Sequence, residues 1–299
     1  MDNAKFLLST RLQKYLKWIH VLIASSLLGS LISMLFILAL KNGVGISEST
    51  FLLDLAIFKI FDIVVTYSFY LLFITAFFYG AFTNWGFFKH HWIILKWIGI
   101  LILPSLVWIG WGESINGMVA IADGEFILLE AIAEYEDLFS KSIYLTIISL
   151  VIIIIIFLIS IIKPFGIRNK RWKPNRKVTL IISMAILIIF LLFPIGNYFS
   201  LKNYRNMPIE DVNLIAIEDG NYLGEKDISG FIYKVEVSMN SHVISDIQIL
   251  QNRKSSYARY AEAVIPRIIK NQNANVNAIT GATTTSKALM KAVENALSQ

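Results

Sequence analysis

Near the end of the chain, Asn277-Ala-Ile-Thr-Gly-Ala-Thr-Thr-Thr-Ser286 places five hydroxyl side chains and one glycine just ahead of the amphipathic run Lys287–Leu297. The apolar spacing of that run predicts a helix. A helix start offers unpaired N–H groups and partial positive charge, and the two together suit a phosphate. Gly281 reaches backbone angles that bulkier residues avoid, so the chain can turn sharply there. Thr285 or Ser286 suits the helix N-cap. The plainer alternative is a capped C-terminal helix with a hydroxyl-rich entry and no ligand.

The elements upstream would position this segment. Asp219-Gly-Asn-Tyr-Leu-Gly224, Gly230–Val237 and Val243–Leu250 read as strands, with Asn240-Ser241 as the turn between the last two. A helical stretch of about Tyr257–Asn271 follows, then the Thr-Gly-Ala-Thr segment. An Asp-Gly-x-Tyr-x-Gly pattern followed by Thr-Gly-Ala-Thr at this spacing resembles the FMN-binding domain of the C subunit of the sodium-pumping NADH:quinone reductase and the G subunit of the Rnf complex. The resemblance runs over residues 208–299. It implies a small α/β (α+β) domain carrying FMN on Thr283 through a phosphothreonine-type ester, attached by a separate flavin transferase. Thr280, Gly281 and Ala282 match the three positions before it. Thr284, Asn277 and Tyr222 join the cofactor-binding set that the resemblance implies. Asn277 stands where the family pattern carries Asp; it keeps the hydrogen-bonding shape and loses the charge.

The remainder of the chain reads as membrane. Hydrophobic residues make up 56% of the 299 and charged residues 16%, and the mean hydropathy is strongly positive. A spanning helix needs about 20 apolar residues. Five stretches qualify: Trp18–Leu40, Ile60–Phe82, Trp92–Trp111, Ser142–Ile162 and Val178–Ser200. The isoleucine run around Leu150–Phe157 would suit a buried strand, but it lies inside a longer uncharged segment and so reads as helix. The first stretch is longer than the ~7–15 apolar residues of a signal peptide and is read as retained. Ser25, Ser26, Gly29, Ser30 and Ser33 form a small-residue face on it, read as a helix-packing surface. Trp92, Trp108 and Trp111 fall at segment ends, as an interfacial belt would.

Basic residues set the orientation. Lys5, Arg11, Lys14 and Lys17 precede the first span, and the 163–177 loop holds seven Lys/Arg and no acid, so both belong inside. The 112–141 segment, read as a loop, is acidic with Lys141 its single base, and falls outside. Five spans from an inside N-terminus carry the C-terminal domain outside. The charge of +6 is thus a topology signal and does not indicate nucleic-acid binding; residues 202–299 hold 11 basic and 10 acidic residues.

The chain has no cysteine, which excludes disulfides, thiolate metal sites and Cys-ligated iron–sulfur clusters. His20, His90 and His91 fall near the cytoplasmic face. Two of them could hold a b-type haem between helices; the alternative is headgroup contact beside Lys89. A haem there would lie across a ~30 Å hydrocarbon core from the flavin, too far for one electron hop.

These observations predict a membrane protein of about five transmembrane helices followed by a small extracytoplasmic FMN-binding domain, in a bacterial cell membrane. The expected parts are a four-helix module with its cytoplasmic basic loop (1–177), a fifth helix and linker (178–207), and the flavin domain (208–299). The expected role is electron transfer from quinol, or from a partner redox subunit, to an extracytoplasmic acceptor. Membrane lipid and a flavin transferase are the other implied partners. A flavin-dependent sensor and a non-redox anchor or assembly subunit are the competing readings. No Walker loop, HExxH motif or nucleophile elbow supports a hydrolase or nucleotide-driven pump.

Overall fold

The structure, a computed structural model, describes residues 7–124, 129–166 and 176–298. Arg168, Lys170, Arg171 and Lys173 of the basic loop, Lys5 of the tail and Glu125 of the acidic segment lie outside the described residues. So does the Trp108 side chain.

Helix α1 runs Thr10–Lys41, opened by Ser9, whose side chain accepts from the Leu12 amide. Helix α2 (Glu48–Lys59) passes through a wide turn at Ile60–Val65 into α3 (Thr66–Phe82). Helix α4 (His91–Leu106) contains Pro104 and leads through a second wide turn, Val107–Trp111, into α5 (Gly112–Asp123). Pro104 removes one backbone donor, and Gly110 at φ +131° supplies the left-handed angle at the kink. Helix α6 spans Leu129–Ile162 and α7 spans Arg176–Arg205. Among the described residues, four runs are long and apolar enough to cross a membrane: Thr10–Lys41, Glu48–Phe82, His91–Asp123 and Ala131–Ile162. The fifth apolar stretch read from sequence lies in α7.

The chain divides into two compact units. The first comprises 1–43, 55–112 and 140–194; the second comprises 44–54, 113–139 and 195–299.

In the first unit, Phe73, Phe77, Ala81, Phe87 and Leu187 form a buried cluster, with Trp97 and Ile100 packed against it. Leu187 brings α7 into that core. Trp111, expected in an interfacial belt, is instead buried: its ring meets Phe61 at 4.9 Å and its indole N–H donates to Thr146 at 3.2 Å. A buried indole needs such an acceptor. Among the described residues, the small-residue face of α1 is likewise not its main packing surface. Leu27, Leu31, Met34 and Leu38 are buried along with Ser30, while Ser25, Ser26, Gly29 and Ser33 are exposed. The large side chains recur at helical spacing and make more dispersion contacts than serine can.

The second unit holds a three-stranded antiparallel sheet in the order β1 (Gly220–Ile228), β2 (Phe231–Asn240), β3 (Val243–Gln251). Tyr233, Val235, Val237 and Met239 alternate along β2 and are all buried, so one face is a core face. Helix α10 (Thr283–Leu297) lies against β1 and β2, burying Ala288, Leu289, Ala292, Val293 and Ala296. Gly224 allows the close approach, because a Cβ there would strike the Ala292 carbonyl.

The expected helix over about Tyr257–Asn271 is two helices, α8 (Ser256–Ala261) and α9 (Val264–Asn271). Pro266 explains the break, since its ring excludes a helical carbonyl four residues back and suits a first turn. Gln272 ends α9 in the left-handed region, and its side-chain amide pairs with both the Ile244 N–H (2.7 Å) and C=O (3.0 Å) on β3.

The described residues of the acidic 112–141 segment form α5 and the first turns of α6 where a loop was expected. Three of its carboxylates are used within the second unit. Glu113 accepts from the Ser256 hydroxyl, Glu134 from Arg259 (2.5 Å) and Tyr260 (2.9 Å), and Asp123 from Arg267 (2.9 Å). Asp54 of α2, buried, accepts from the buried Tyr135 hydroxyl of α6 at 2.6 Å.

Candidate functional site

Helix α10 begins at Thr283, so its cap position falls three residues before Thr285 and four before Ser286, the caps that the sequence suggested. Its N-cap is Ala282, which has no side chain to offer the first-turn amides. Ser286 does something else: its hydroxyl accepts from the Ile279 N–H (3.2 Å) and donates to the Ala282 carbonyl (3.1 Å). That bracing of the preceding turn uses the hydroxyl from inside the helix, fully buried. The uncapped amides of residues 283, 284 and 285 are therefore left at the positive end of the helix dipole. Thr283 and Thr284 are half-buried and Thr280 is too, while Asn277 is exposed.

The turn before α10 is fixed from outside. Gly281 has φ +82°, and a Cβ on it would come 2.8 Å from the Asn116 carbonyl oxygen of α5. Both facts require glycine. Asp123, at the end of α5, accepts from the Thr280 amide at 2.7 Å through Oδ2 and from Arg267 Nη2 at 2.9 Å through Oδ1. Arg267 also donates to the Asp123 backbone carbonyl and, through Nη1, to the Asn277 carbonyl at 3.0 Å. One buried guanidinium thus ties α9, the end of α5 and the residue opening the hydroxyl-rich segment. Its side chain is 9% exposed and that of Asp123 16%. A guanidinium so little hydrated needs these oxygens.

Thr280, Gly281, Ala282, Thr283 and Thr284 are contiguous at this turn. Tyr222 lies on β1, half-buried, and donates its hydroxyl to the Glu218 carbonyl at 2.9 Å. Gly224, two residues on, meets α10 at Ala292, nine residues beyond Thr283 and so about 13 Å along the helix axis. Asp219, which opens the same sequence pattern, serves the hairpin instead. Ser241 and His242 form the β2–β3 turn with φ +55° and +59°. The Asp219 carboxylate accepts from the His242 amide at 3.2 Å, and His242 Nδ1 lies 2.9 Å from the Ile217 carbonyl. Backbone N–H groups of Ser241 and then His242 hold the Asp219 carboxyl below its ordinary pKa.

The three membrane-module histidines have different surroundings. His20 Nδ1 lies 2.7 Å from Thr75 Oγ1, and the Thr75 hydroxyl is within 2.9 Å of the Leu71 carbonyl. With that proton given to Leu71, Nδ1 of His20 carries the hydrogen. His90 is buried, precedes α4 and stacks near Trp85 (5.4 Å) and Trp92 (5.8 Å). His91 is exposed. Among the described residues no group of three or more His, Cys, Asp or Glu is placed to hold a metal ion.

Sequence reasoning missed Asp123, Arg267 and Asn116 as parts of this turn, and it offered Ser286 as a cap where the structure gives it a bracing role. All three contribute from outside the motif, and the acid-rich composition of the 112–141 segment was their one signal.

Residues 230–298 match the model of the FMN-binding domain family. The match spans β2, β3 and α8–α10, including the whole Thr280–Thr283 turn, and it stops short of β1. No curated protein and no solved structure shows a significant match to the chain.

Proposed function

We propose that the FMN-binding domain of this membrane protein carries its flavin covalently, as a phosphate ester on the Thr283 hydroxyl, and relays electrons on the extracytoplasmic side. The carrying observation is the family match over a turn whose threonine opens an uncapped helix. The residues present fit the group. The first-turn amides of α10 can donate to phosphate oxygens, and Lys287, one helical turn beyond Thr283 on the same face, adds a cation. Gly281 keeps the backbone low beside α5, and the half-buried Thr283 side chain remains within reach of a transferase.

Bound there, FMN supplies the one- and two-electron redox chemistry. The chain's own residues attach and orient it. Ser286, Asp123 and Arg267 hold the turn in one shape, so that the ester oxygen and the dipole of α10 keep a fixed relation. Electrons come from membrane quinol or a partner subunit and go to an acceptor outside.

The make-up of the second unit supports the orientation. Residues 44–54, 113–139 and 195–299 follow the first, third and fifth apolar stretches, and an odd number of crossings puts all three on one side. The basic N-terminal tail and the basic 163–177 segment take the opposite side under the same count.

Intact-mass spectrometry after co-expression with a flavin transferase tests the attachment. Wild type should gain one riboflavin-phosphate ester and a fluorescent denatured band; Thr283→Ala should lose both. An adduct that survives Thr283→Ala, or no adduct on wild type beside a competent transferase, rules the assignment out.

A further inference from the structure

The first unit holds an open-mouthed cavity of about 600 Å³, within the range of ligand sites. Most of its wall is aliphatic or aromatic, from α1, α3, α4 and α6. The polar exceptions are unequal in sign. Among the described residues, Lys17, Lys96 and Lys163 all line it, His20 joins them, and no carboxylate does. Lys96 Nζ stands 5.7 Å from the centroid of Trp92, and Lys163 Nζ 5.1 Å from that of Trp85. Those two indoles meet edge to face at 5.5 Å. Two ammonium groups are therefore gathered on one aromatic pair, and the described lining residues hold no acid to offset their repulsion. Ring faces attract a cation only weakly where it is hydrated, and a cation on a spanning helix calls for a counter-charge.

We propose that this cavity binds an anionic membrane phospholipid of the phosphatidylglycerol or cardiolipin class. Its phosphate lies among Lys17, Lys96 and Lys163, and an acyl chain runs along the apolar wall at Phe73, Leu103 and Ile153. Charge selects this occupant. A zwitterionic headgroup brings its own cation toward three others. A quinone carbonyl accepts hydrogen bonds and leaves the net positive charge standing. Free phosphate answers the charge and leaves the aliphatic wall unfilled. The proposal does not depend on the flavin, and its outcome is readable in protein that carries none.

Native mass spectrometry of the full chain, delipidated and then offered phosphatidylglycerol or phosphatidylcholine, tests it. Wild type should retain one phosphatidylglycerol through washing that strips phosphatidylcholine. Lys96→Gln and Lys163→Gln should each weaken retention about 5-fold, the effect of one cation near a lipid phosphate. Lys96→Arg should keep it. Lys163 is exposed, so its substitution leaves the fold intact even if Lys96→Gln does not. Equal retention of the two lipids by wild type, or undiminished retention in Lys163→Gln together with Lys96→Gln, overturns the proposal. Displacement by millimolar inorganic phosphate alone would make this a soluble-anion site, and preferential uptake of a quinone would make it a neutral one; either result overturns the lipid assignment.

Discussion

Single side chains decide whether the Thr283 turn keeps its shape. Ser286→Ala would leave the buried Ile279 amide without an acceptor, and we expect a loss of about 2 kcal/mol in thermal unfolding. Ser286→Thr, which keeps the oxygen, should recover part of it. Gly281→Ala adds a Cβ against the Asn116 carbonyl at a φ that L residues resist, and should cost about 2 kcal/mol or more. Asp123→Ala strips a carboxylate from a nearly buried guanidinium. The expected cost is about 3 kcal/mol, with flavin incorporation on Thr283 falling in parallel when scored by band fluorescence. Arg267→Met combined with Asp123→Leu should be milder than Asp123→Ala alone, because no charge is left stranded. At this scale the sequence was informative where chemistry is local. A glycine amid hydroxyls before an amphipathic run marks the turn. Asp123 could not be found that way, since its partners Thr280 and Arg267 lie more than 140 residues away in the chain.

At the scale of elements, the strands were legible because β2 alternates strictly and the flanking segments carry turn residues. The helix boundaries were less so. Pro266 divided one expected helix, and Ala282 displaced the hydroxyl residues as cap. The acidic segment was taken for a loop because its carboxylates interrupt the apolar pattern; their partners on α8 and α9 are what make a helix affordable there. The β2–β3 hairpin gives a pH test. Its turn amides hold the Asp219 carboxyl below the usual carboxylate range. The stabilisation is therefore present above the ordinary carboxylate pKa and is lost as pH falls through the lower folded value. Thermal melting should decline on acidification below about pH 4, and Asp219→Asn should flatten that part of the profile. An unchanged acid limb in the variant would remove Asp219 from the account.

For the molecule as a whole, composition already pointed to the membrane class, and four runs among the described residues are long and apolar enough to span. What composition cannot show is that residues 113–139 belong to the same compact unit as the flavin domain. A fragment of 208–299 therefore lacks part of its own support. It should keep sheet and helix by circular dichroism, yet exchange the Thr280 amide at least about tenfold faster than the full chain does. High pH probes the same support. Burial first and the Glu134 hydrogen bond second raise the Tyr260 hydroxyl well above its ordinary pKa. That contribution is complete below the unfolded tyrosine value near 10 and fades as pH climbs toward the folded one. Tyr260→Phe should melt lower than wild type at neutral pH, with the gap closing in alkali.

The grip of Arg267 on Asn277 and Asp123 has a consequence for biogenesis. Under the proposed attachment, the stretch that a transferase would read is moulded only once α5 has arrived from a much earlier part of the chain. Polypeptide still threading through the translocon would present a slack substrate, and the finished protein a rigid one. Flavinylation would then serve as a stamp applied after assembly, marking the molecules in which the distant pieces have found each other.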